Sequence, residues 1–329
     1  MQVYLGGYGP NVAQASFVQN RLTKPAAMVA SNCATYLQQD GQLLFAIQRL
    51  PHQGGVAVFD LNSKKQVSTY LTPGASPAYL GLDRQKKHLF VANYHTGWLT
   101  VLRYNTAGQL QKIAAVQHHG SGVRPEQAAA HPHFFDQTPT GNLLSCDLGT
   151  DRLDFYRLDN DQLQHLASWQ AAAGSGVRHA AFAGNKLYVV CELASKLFVL
   201  HFTEASLSLQ LLHSYSTVAT SYQGHNGAAA LRVSADERFV YVSNRGEDTI
   251  VVFKAQKYGL QLIQRISTFG HFPRDINWDQ QQRFVIAANQ ESNNVTVYQR
   301  NPKTGLLTLW QKGLPAERPT CVLFGEQQI

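Results

Sequence analysis

The chain has 329 residues, of which 44% are hydrophobic and 15% charged, a composition typical of a globular protein and not of a disordered one. The formal charge is +7 and the isoelectric point about 9.2, yet Lys and Arg are dispersed, with no run longer than Lys86-Lys87. This pattern disfavours nucleic-acid binding and leaves a small anion as the expected partner.

The first residues, MQVYLGGYGP, lack the basic and apolar regions of a secretory signal. No apolar stretch approaches the roughly 20 residues that cross a bilayer. The four cysteines, Cys33, Cys146, Cys191 and Cys321, are scattered without a metal-ligand spacing. We therefore expect reduced cysteines in a cytoplasmic protein that does not contact membranes and is a monomer or a weak homo-oligomer.

One unit recurs along the chain: an apolar strand, a turn, a second strand that ends in a polar marker residue, and a third strand. The markers are Gln48 in LLFAIQ, Asn93 in LFVAN, Asp147 in LLSCD, Glu192 in LYVVCE, Asn244 in FVYVSN and Asn289 in FVIAAN. Each is followed by a third strand such as VAVFDL or VTVYQR. The apolar runs are short and rich in β-branched and aromatic residues, which favours strands over helices.

The steps between successive markers are 45, 54, 45, 52 and 45 residues, and the two longer steps carry insertions around GVRPEQAAAHPHFF and TVATSYQGHNG. A period of this size is typical of propeller blades, each a four-stranded antiparallel sheet. We predict an all-β, seven-bladed β-propeller that forms a single domain over residues 1–329. The closing blade takes its first strand from RPTCVLF and its next two from QVYLGG and ASFVQN, which removes the free sheet edges.

In a propeller of this kind, the starts of the innermost strands and the ends of the second strands meet at one mouth of the central channel. This placement brings together His133, Glu192 and Arg245 as candidate catalytic residues. The expected substrate-binding residues are Arg178, His179, Arg274, His131, His225 and Asn226. A cluster of arginines suits phosphate or carboxylate, since each guanidinium bonds two oxygens at once, and a His or Glu beside it can activate water.

Each candidate also has a structural interpretation. The recurring Asn93, Asn244 and Asn289 are turn formers whose side chains bond backbone at strand ends. Glu192 breaks that series, which favours a functional role, although Glu192 or Asp275 can instead pair with a channel arginine. The sequence HPH at 131–133 is a nominal metal motif, but no carboxylate follows at a suitable spacing, so we expect no metal and no organic cofactor.

The segments HPHFFDQTPTGNLLSCDLGTDRL, GSGVRHAAFAGNKLYVVCEL, FVYVSNRGEDTIVVF and FPRDINWDQQQRFVIAANQESNNVTVY carry a family resemblance. In them the chain resembles the propeller lactonases, a group that includes bacterial 6-phosphogluconolactonases and carboxymuconate-lactonising enzymes. The resemblance implies hydrolysis of 6-phosphogluconolactone in the pentose phosphate pathway. It also implies that His133, Glu192, Arg178, Arg245 and Arg274 surround the central cleft.

The residues are also compatible with two alternatives to that reaction. One is a cycloisomerase or hydrolase for another carboxylated lactone, since carboxylate and phosphate present similar oxygens to a guanidinium. The other is a propeller that serves only as a binding platform. Arginines and acids fully paired with one another, together with a closed channel, would favour the platform.

Overall fold

The computed structural model describes residues 1–326, which form 29 β-strands, two short 3-10 helices (Pro125–Gln127 and Glu204–Ser206) and no α-helix. The strands are grouped into seven antiparallel sheets, as the sequence period predicts. No helix in these residues is long and apolar enough to cross a membrane. All four cysteines are free in the described structure.

Seven sheets follow one another around the ring, and we number the six uninterrupted ones blade 1 to blade 6 along the chain. The closing blade contains β1 (Gln2–Gly7), β2 (Asn11–Val18), β3 (Arg21–Leu22), β4 (Ala26–Ala30) and, from the far end of the chain, β29 (Pro319–Phe324). Blade 1 contains β5 (Leu37–Asp40), β6 (Leu43–Leu50), β7 (Gln53–Asp60) and β8 (Lys65–Pro73). Blade 2 contains β9 (Tyr79–Asp83), β10 (His88–Asn93), β11 (Trp98–Tyr104) and β12 (Leu110–Gln117). Blade 3 contains β13 (Pro132–Gln137), β14 (Leu143–Asp147), β15 (Arg152–Asp159) and β16 (Gln162–Gln170).

The remaining three sheets have the same order of strands. Blade 4 contains β17 (Val177–Ala183), β18 (Lys186–Cys191), β19 (Lys196–Thr203) and β20 (Ser208–Ser216). Blade 5 contains β21 (Gly227–Val233), β22 (Phe239–Arg245), β23 (Thr249–Gln256) and β24 (Gly259–Ser267). Blade 6 contains β25 (Pro273–Trp278), β26 (Phe284–Asn289), β27 (Asn294–Arg300) and β28 (Leu307–Pro315).

The first strand of each blade lies innermost and contacts the first strands of its neighbours around the central channel. In the closing blade β29 takes this place and pairs antiparallel with β1, with Leu5 opposite Val322. The predicted shared blade is therefore confirmed. The core lies between adjacent sheets, because alternate residues of a strand face opposite neighbours. One such cluster joins Tyr241 and Val252 of blade 5 to Val285 and Tyr298 of blade 6.

The marker asparagines hold the turns at the strand ends, as predicted. The side-chain amide of Asn244 donates to the carbonyl of Thr217 at 2.7 Å, and that of Asn289 donates to the carbonyl of Thr268 at 3.3 Å. Both side chains are fully buried. Their amides satisfy backbone groups that would otherwise be buried without a partner.

Candidate functional site

A polar cavity of about 290 Å³ lies at the mouth of the channel, where innermost strands begin and second strands end. We call it the inner pocket. It is lined by Tyr8, Thr35, Ser76, Pro77, Ala78, Tyr94, His95, His133, Glu192, Arg245 and Arg274. The sequence argument for convergence at one mouth thus holds for four of its candidates, and the channel is open at this end.

The innermost strands reach the pocket through β-bulges. In β13 the pairing passes from Pro132 to Phe134 and skips His133, and in β17 it skips Arg178 in the same way. The bulge in β25 falls on Arg274, between Pro273 and Asp275. A bulge places one extra residue in the strand and redirects its side chain. Each of these three candidates is therefore the displaced residue of an otherwise regular strand.

The second strands contribute the residue just beyond the turn-forming position. Asn93, Asn244 and Asn289 each pair with a residue five positions later, and in blade 4 this position is held by Cys191, paired with Lys196. Glu192 is thus equivalent to Tyr94, Arg245 and Gln290 and not to the asparagines. The prediction that Glu192 replaces a turn asparagine is wrong by one residue, because the sequence gives no direct sign of pairing register.

Glu192 is the centre of the charge arrangement. Its Oε2 lies 2.8 Å from Nε of Arg178 and 2.8 Å from Nη2 of Arg245. Burial alone would raise the pKa of Glu192, but the positive charges of Arg245 and Arg178 outweigh it and hold the pKa below its ordinary value. The carboxyl group is therefore ionised at neutral pH.

Arg178 supports this carboxylate from inside the channel wall. Its side chain is only 3% exposed, and its Nη1 donates to the carbonyl of Ala229 at 2.7 Å and lies 3.2 Å from Nε2 of His179. Burial and the neighbouring charge of Arg245 lower the pKa of Arg178 to about 9, so it stays protonated at neutral pH. Because Arg178 is not part of the pocket lining, it acts through Glu192 and not on a ligand directly.

Arg245 faces the inner pocket from the end of β22. Its Nε donates to the carbonyl of Gly227 at 3.1 Å, and its guanidinium lies 5.0 Å from the centre of the Phe272 ring. Gly246 follows at a φ of +128°, and a Cβ there would lie 2.1 Å from the carbonyl oxygen of His225. Only glycine fits this turn, which explains the SNRG sequence locally.

Arg274 lines the inner pocket beside Tyr8. Its guanidinium is 5.6 Å from the centre of the Tyr8 ring, and Arg318 lies at 5.0 Å from the same ring. Nη1 of Arg274 reaches Oε1 of Gln290 at 3.4 Å, and burial lowers the pKa of Arg274. Unlike Arg178 and Arg245, Arg274 has no carboxylate partner within residues 1–326. It is therefore the lining arginine that is available to an anion.

His133 is 95% buried and forms the third chemical component of the pocket. Burial, with the nearby charges of Arg178 and Arg274, holds its pKa well below the ordinary value, so the ring is neutral at pH 7. Its Nδ1 has no hydrogen-bond partner within residues 1–326. The ring lies 5.1 Å from that of His179 and 5.7 Å from that of Tyr94, between centroids.

The other predicted binding residues stand around or outside this pocket. His131 stacks on Tyr94 at 4.3 Å, and its Nδ1 lies 2.8 Å from the Tyr94 carbonyl oxygen. His179 is buried behind His133. His225 is exposed and does not line the pocket. Asn226 is buried in a turn, where its side chain binds Ser195 Oγ at 2.9 Å.

The structure answers two questions that the sequence left open: how the acids near the channel are paired, and whether the residues around them can hold a metal. Asp275 pairs with Arg232, at 2.9 Å, and not with Arg178 or Arg274. Glu192 is paired with two arginines, yet the pocket beside it remains open. Within residues 1–326, no group of three or more His, Cys, Asp and Glu side chains is placed to hold a metal ion.

Sequence reasoning missed the aromatic wall. Tyr94 occupies the same position in blade 2 as Glu192 in blade 4, and its pKa is raised to about 12, mainly by burial and by the charge of Glu192. Aligning the ends of the second strands so that Asn93 matches Cys191 would have identified Tyr94 as a pocket residue. Tyr8 lies in the turn between β1 and β2 of the divided closing blade, where no repeat signal marks it.

The family of the chain follows from comparison with known proteins. Residues 2–324 match the family model described as lactonase, 7-bladed beta-propeller. This chain belongs to that lactonase family. The 6-phosphogluconolactonase of Bacillus subtilis (strain 168) is 31% identical over 318 residues, covering 93% of this chain and 91% of the relative.

Two solved structures superpose closely on the chain. A protein from Lactobacillus plantarum superposes with a TM-score of 0.96 at 33% identity, covering 99% of both chains. The periplasmic gluconolactonase of Pseudomonas aeruginosa superposes with a TM-score of 0.88 at 28% identity, covering 98% of both chains. The resemblance noted from the sequence is confirmed at the level of fold and family, and the family indicates a small lactone as substrate.

Proposed function

We propose that the protein is a 6-phosphogluconolactonase-like hydrolase that opens a sugar lactone by attack of water. The observation that carries this proposal is the inner pocket itself, where an ionised carboxylate, a neutral histidine and two arginines line one open cavity. Such a set supplies a proton acceptor and positive charge where an oxyanion develops. The likeness to the B. subtilis 6-phosphogluconolactonase supports the choice of substrate.

In the proposed reaction, His133 or Glu192 takes a proton from a water molecule as its oxygen bonds to the lactone carbonyl carbon. The carbonyl oxygen becomes an oxyanion, which Arg245 stabilises. The bond from that carbon to the ring oxygen then breaks, and the proton passes to the ring oxygen, which leaves as a hydroxyl. The product is the open-chain hydroxy acid, and the base is regenerated.

The two possible bases differ in their surroundings. The pKa of both groups is held below its ordinary value, so basicity does not separate them, but the Oε2 of Glu192 is engaged by two guanidinium groups. His133 has no ion pair within the described residues and keeps a nitrogen lone pair because its ring is neutral. We therefore assign the proton transfer to His133 and the orientation of water, together with Arg245, to Glu192.

The anionic end of the substrate is assigned to Arg274. It has no carboxylate partner in residues 1–326, and it lies beside Tyr8 in the lining of the pocket. A guanidinium binds a phosphate through two parallel hydrogen bonds. His131 and His179 hold the walls of the pocket through Tyr94 and Arg178, respectively.

The test is hydrolysis of 6-phosphogluconolactone by the purified protein, corrected for the spontaneous rate. Activity should fall by about 100-fold or more in His133→Ala and Arg245→Ala, since each change removes a group that acts on the transition state. A preference for a non-phosphorylated carboxylated lactone in the same assay would favour the other lactone chemistry. Unchanged rates in both variants would show that the pocket is not the catalytic site.

A further inference from the structure

A second, larger cavity opens next to the inner pocket. It has a volume of about 980 Å³ and is lined by residues that include Tyr8, Asn32, Arg49, Leu50, His52 and Ala75. We call it the entrance groove. Tyr8 lines both cavities, and Ala75 of the groove directly precedes Ser76 of the inner pocket. The two cavities are therefore adjacent, and Tyr8 lies at their boundary.

The wall of the entrance groove is built by an unusual hairpin. In blade 1, β6 and β7 pair as far as Leu50 opposite Gln53, so that only Pro51 and His52 form the turn. Four residues separate the last paired residues in blades 2, 4 and 6. The longer pairing in blade 1 extends β6 toward the groove, and Arg49 lies in this extension, opposite Gly54.

This hairpin is fixed in place by its neighbours. The backbone N–H of Arg49 donates to the carbonyl of Asn32 at 3.0 Å, and the N–H of Gly74 donates to the carbonyl of His52 at 3.0 Å. Gly54 packs so closely that a Cβ there would lie 2.4 Å from the backbone of Ser76. The hairpin of the groove wall thus packs directly against Ser76, which lines the inner pocket.

The fixed positive charge in the groove lining is that of Arg49, while the carboxylate of Glu317 lies beside Gly9, another lining residue. The groove lining contains Arg49 and His52 but no Asp or Glu. Arg49 is exposed, and its side chain makes no hydrogen bond or ion pair with any part of the chain that the structure describes. Burial, His131, Arg49 and Arg274 together lower the pKa of His95, which shows that Arg49 and Arg274 act on the same region of the pocket.

On the basis of the proposed function, we infer that the entrance groove is a second anion subsite: the lactone ring lies in the inner pocket while an anionic substituent of the sugar, such as a phosphate ester, extends past Tyr8 toward Arg49. Arg274 contacts this substituent from the inner side and Arg49 from the outer side. The pair recognises charge at a distance from the reacting carbonyl, which makes Arg49 a determinant of substrate class. A neutral lactone has no group for Arg49 to bind.

The experiment compares Arg49→Ala, Arg49→Lys and the wild type on three substrates: 6-phosphogluconolactone, uncharged glucono-1,5-lactone, and uncharged lactobiono-1,5-lactone, which carries a second sugar. The control is Arg157→Ala, because Arg157 is likewise an exposed arginine on a blade strand, remote from both cavities. Arg49→Ala should raise the ratio of KM for the phosphorylated lactone to KM for glucono-1,5-lactone about five- to tenfold. Arg49→Lys should raise it less, Arg157→Ala should not raise it, and added salt should reduce the effect.

Two results would overturn the inference. Equal changes of KM for all three substrates would mean that Arg49 only shapes the groove. A change confined to lactobiono-1,5-lactone would mean that the groove receives a neutral sugar and not an anion. Either result leaves the lactonase proposal intact, because the wild type still hydrolyses its substrate.

Failure of the proposed function itself is recognised separately. If the wild type hydrolyses none of the three lactones, binding of 6-phosphogluconate is measured by titration calorimetry. Weaker binding to Arg49→Ala than to Arg157→Ala would then support the anion subsite without catalysis. Equal binding to both variants would overturn it.

Discussion

Arg178 and Glu192 form a contact of 2.8 Å, between Nε and Oε2, in which the arginine side chain is 3% exposed and the glutamate side chain 20%. A buried guanidinium of this kind depends on the carboxylate beside it, because the loss of one partner leaves an uncompensated charge. Glu192 is therefore expected to stabilise the folded protein, by balancing the charge of Arg178, in addition to its proposed role in the reaction.

Glu192→Gln should consequently lower both stability and turnover. The amide keeps the size of the side chain but removes the charge that balances Arg178, so we expect the free energy of unfolding to fall by about 3 kcal/mol. Hydrolysis of 6-phosphogluconolactone should fall by about 100-fold. Denaturant titration and the background-corrected assay measure the two effects. Glu126→Gln, at an exposed position, is the control, and a fully stable and active Glu192→Gln would contradict the assigned role.

The buried histidines predict a pH dependence of stability. Burial and the charge of Arg178 hold the pKa of His133 and of His179 well below their ordinary value. Below a pH of about 6.5 the unfolded chain binds a proton at each site and the folded chain does not. The free energy of unfolding should therefore decrease as the pH falls, by about 1.4 kcal/mol per pH unit for each histidine.

The double variant His133→Asn/His179→Asn should show a smaller dependence on pH than the wild type when unfolding is measured between about pH 5 and 6.5. His213→Asn, which changes an exposed histidine, should keep the wild-type slope. Equal slopes in the double variant and the wild type would show that these two rings are protonated in the folded protein.

Asp136, on the innermost strand β13, predicts the opposite pH dependence: its contribution to stability should decrease as the pH rises. Its Oδ2 accepts a hydrogen bond from the Tyr79 hydroxyl at 2.8 Å, and burial raises its pKa to about 6. Above that pH the folded chain holds an ionised carboxyl at a cost that the unfolded chain does not bear. Asp136→Asn should therefore stabilise the protein by about 2 kcal/mol near pH 7.5, with the gain shrinking below pH 6 and vanishing near pH 4. Destabilisation at pH 7.5 would contradict this interpretation.

Asn226 is expected to matter for folding and not for the substrate. Its amide binds Ser195 Oγ and lies 3.2 Å from Oδ1 of Asn244, while its own Oδ1 accepts from the N–H of Glu247 at 3.1 Å. Asn226→Ala should lower the free energy of unfolding by about 1 to 3 kcal/mol because buried polar groups lose their partners. His225→Ala should change it little. A raised KM without loss of stability in Asn226→Ala would restore its predicted binding role.

The fold was accessible from the sequence because each blade repeats the same short strands at a nearly constant period. The second strands marked by Asn93 and Asn289 end where predicted, the one marked by Asn244 runs one residue further, and the divided blade closes as predicted. These features depend on local composition and turn chemistry, which a single sequence contains.

The site was only partly accessible. His133, Arg178 and Arg274 could be placed at strand starts, but their bulges depend on the pairing between strands, which the sequence does not state. The point of insertion predicts His225 at the channel mouth, yet the His225 carbonyl accepts a hydrogen bond from the Tyr222 hydroxyl, and its side chain is exposed and does not line the pocket. Where a loop folds is decided by such contacts and not by its point of insertion.

The pairing of β29 with β1 has a consequence for how the protein is made. The sheet begun by the first 18 residues lacks its inner strand until residue 324 has left the ribosome. Until then β1 presents an unpaired edge, and the contact that closes the ring joins residues as far apart in sequence as Val3 and Phe324. The inner pocket is lined by both Tyr8 and Arg274, which are far apart in the sequence. The pocket is therefore completed late in folding, when the ring closes.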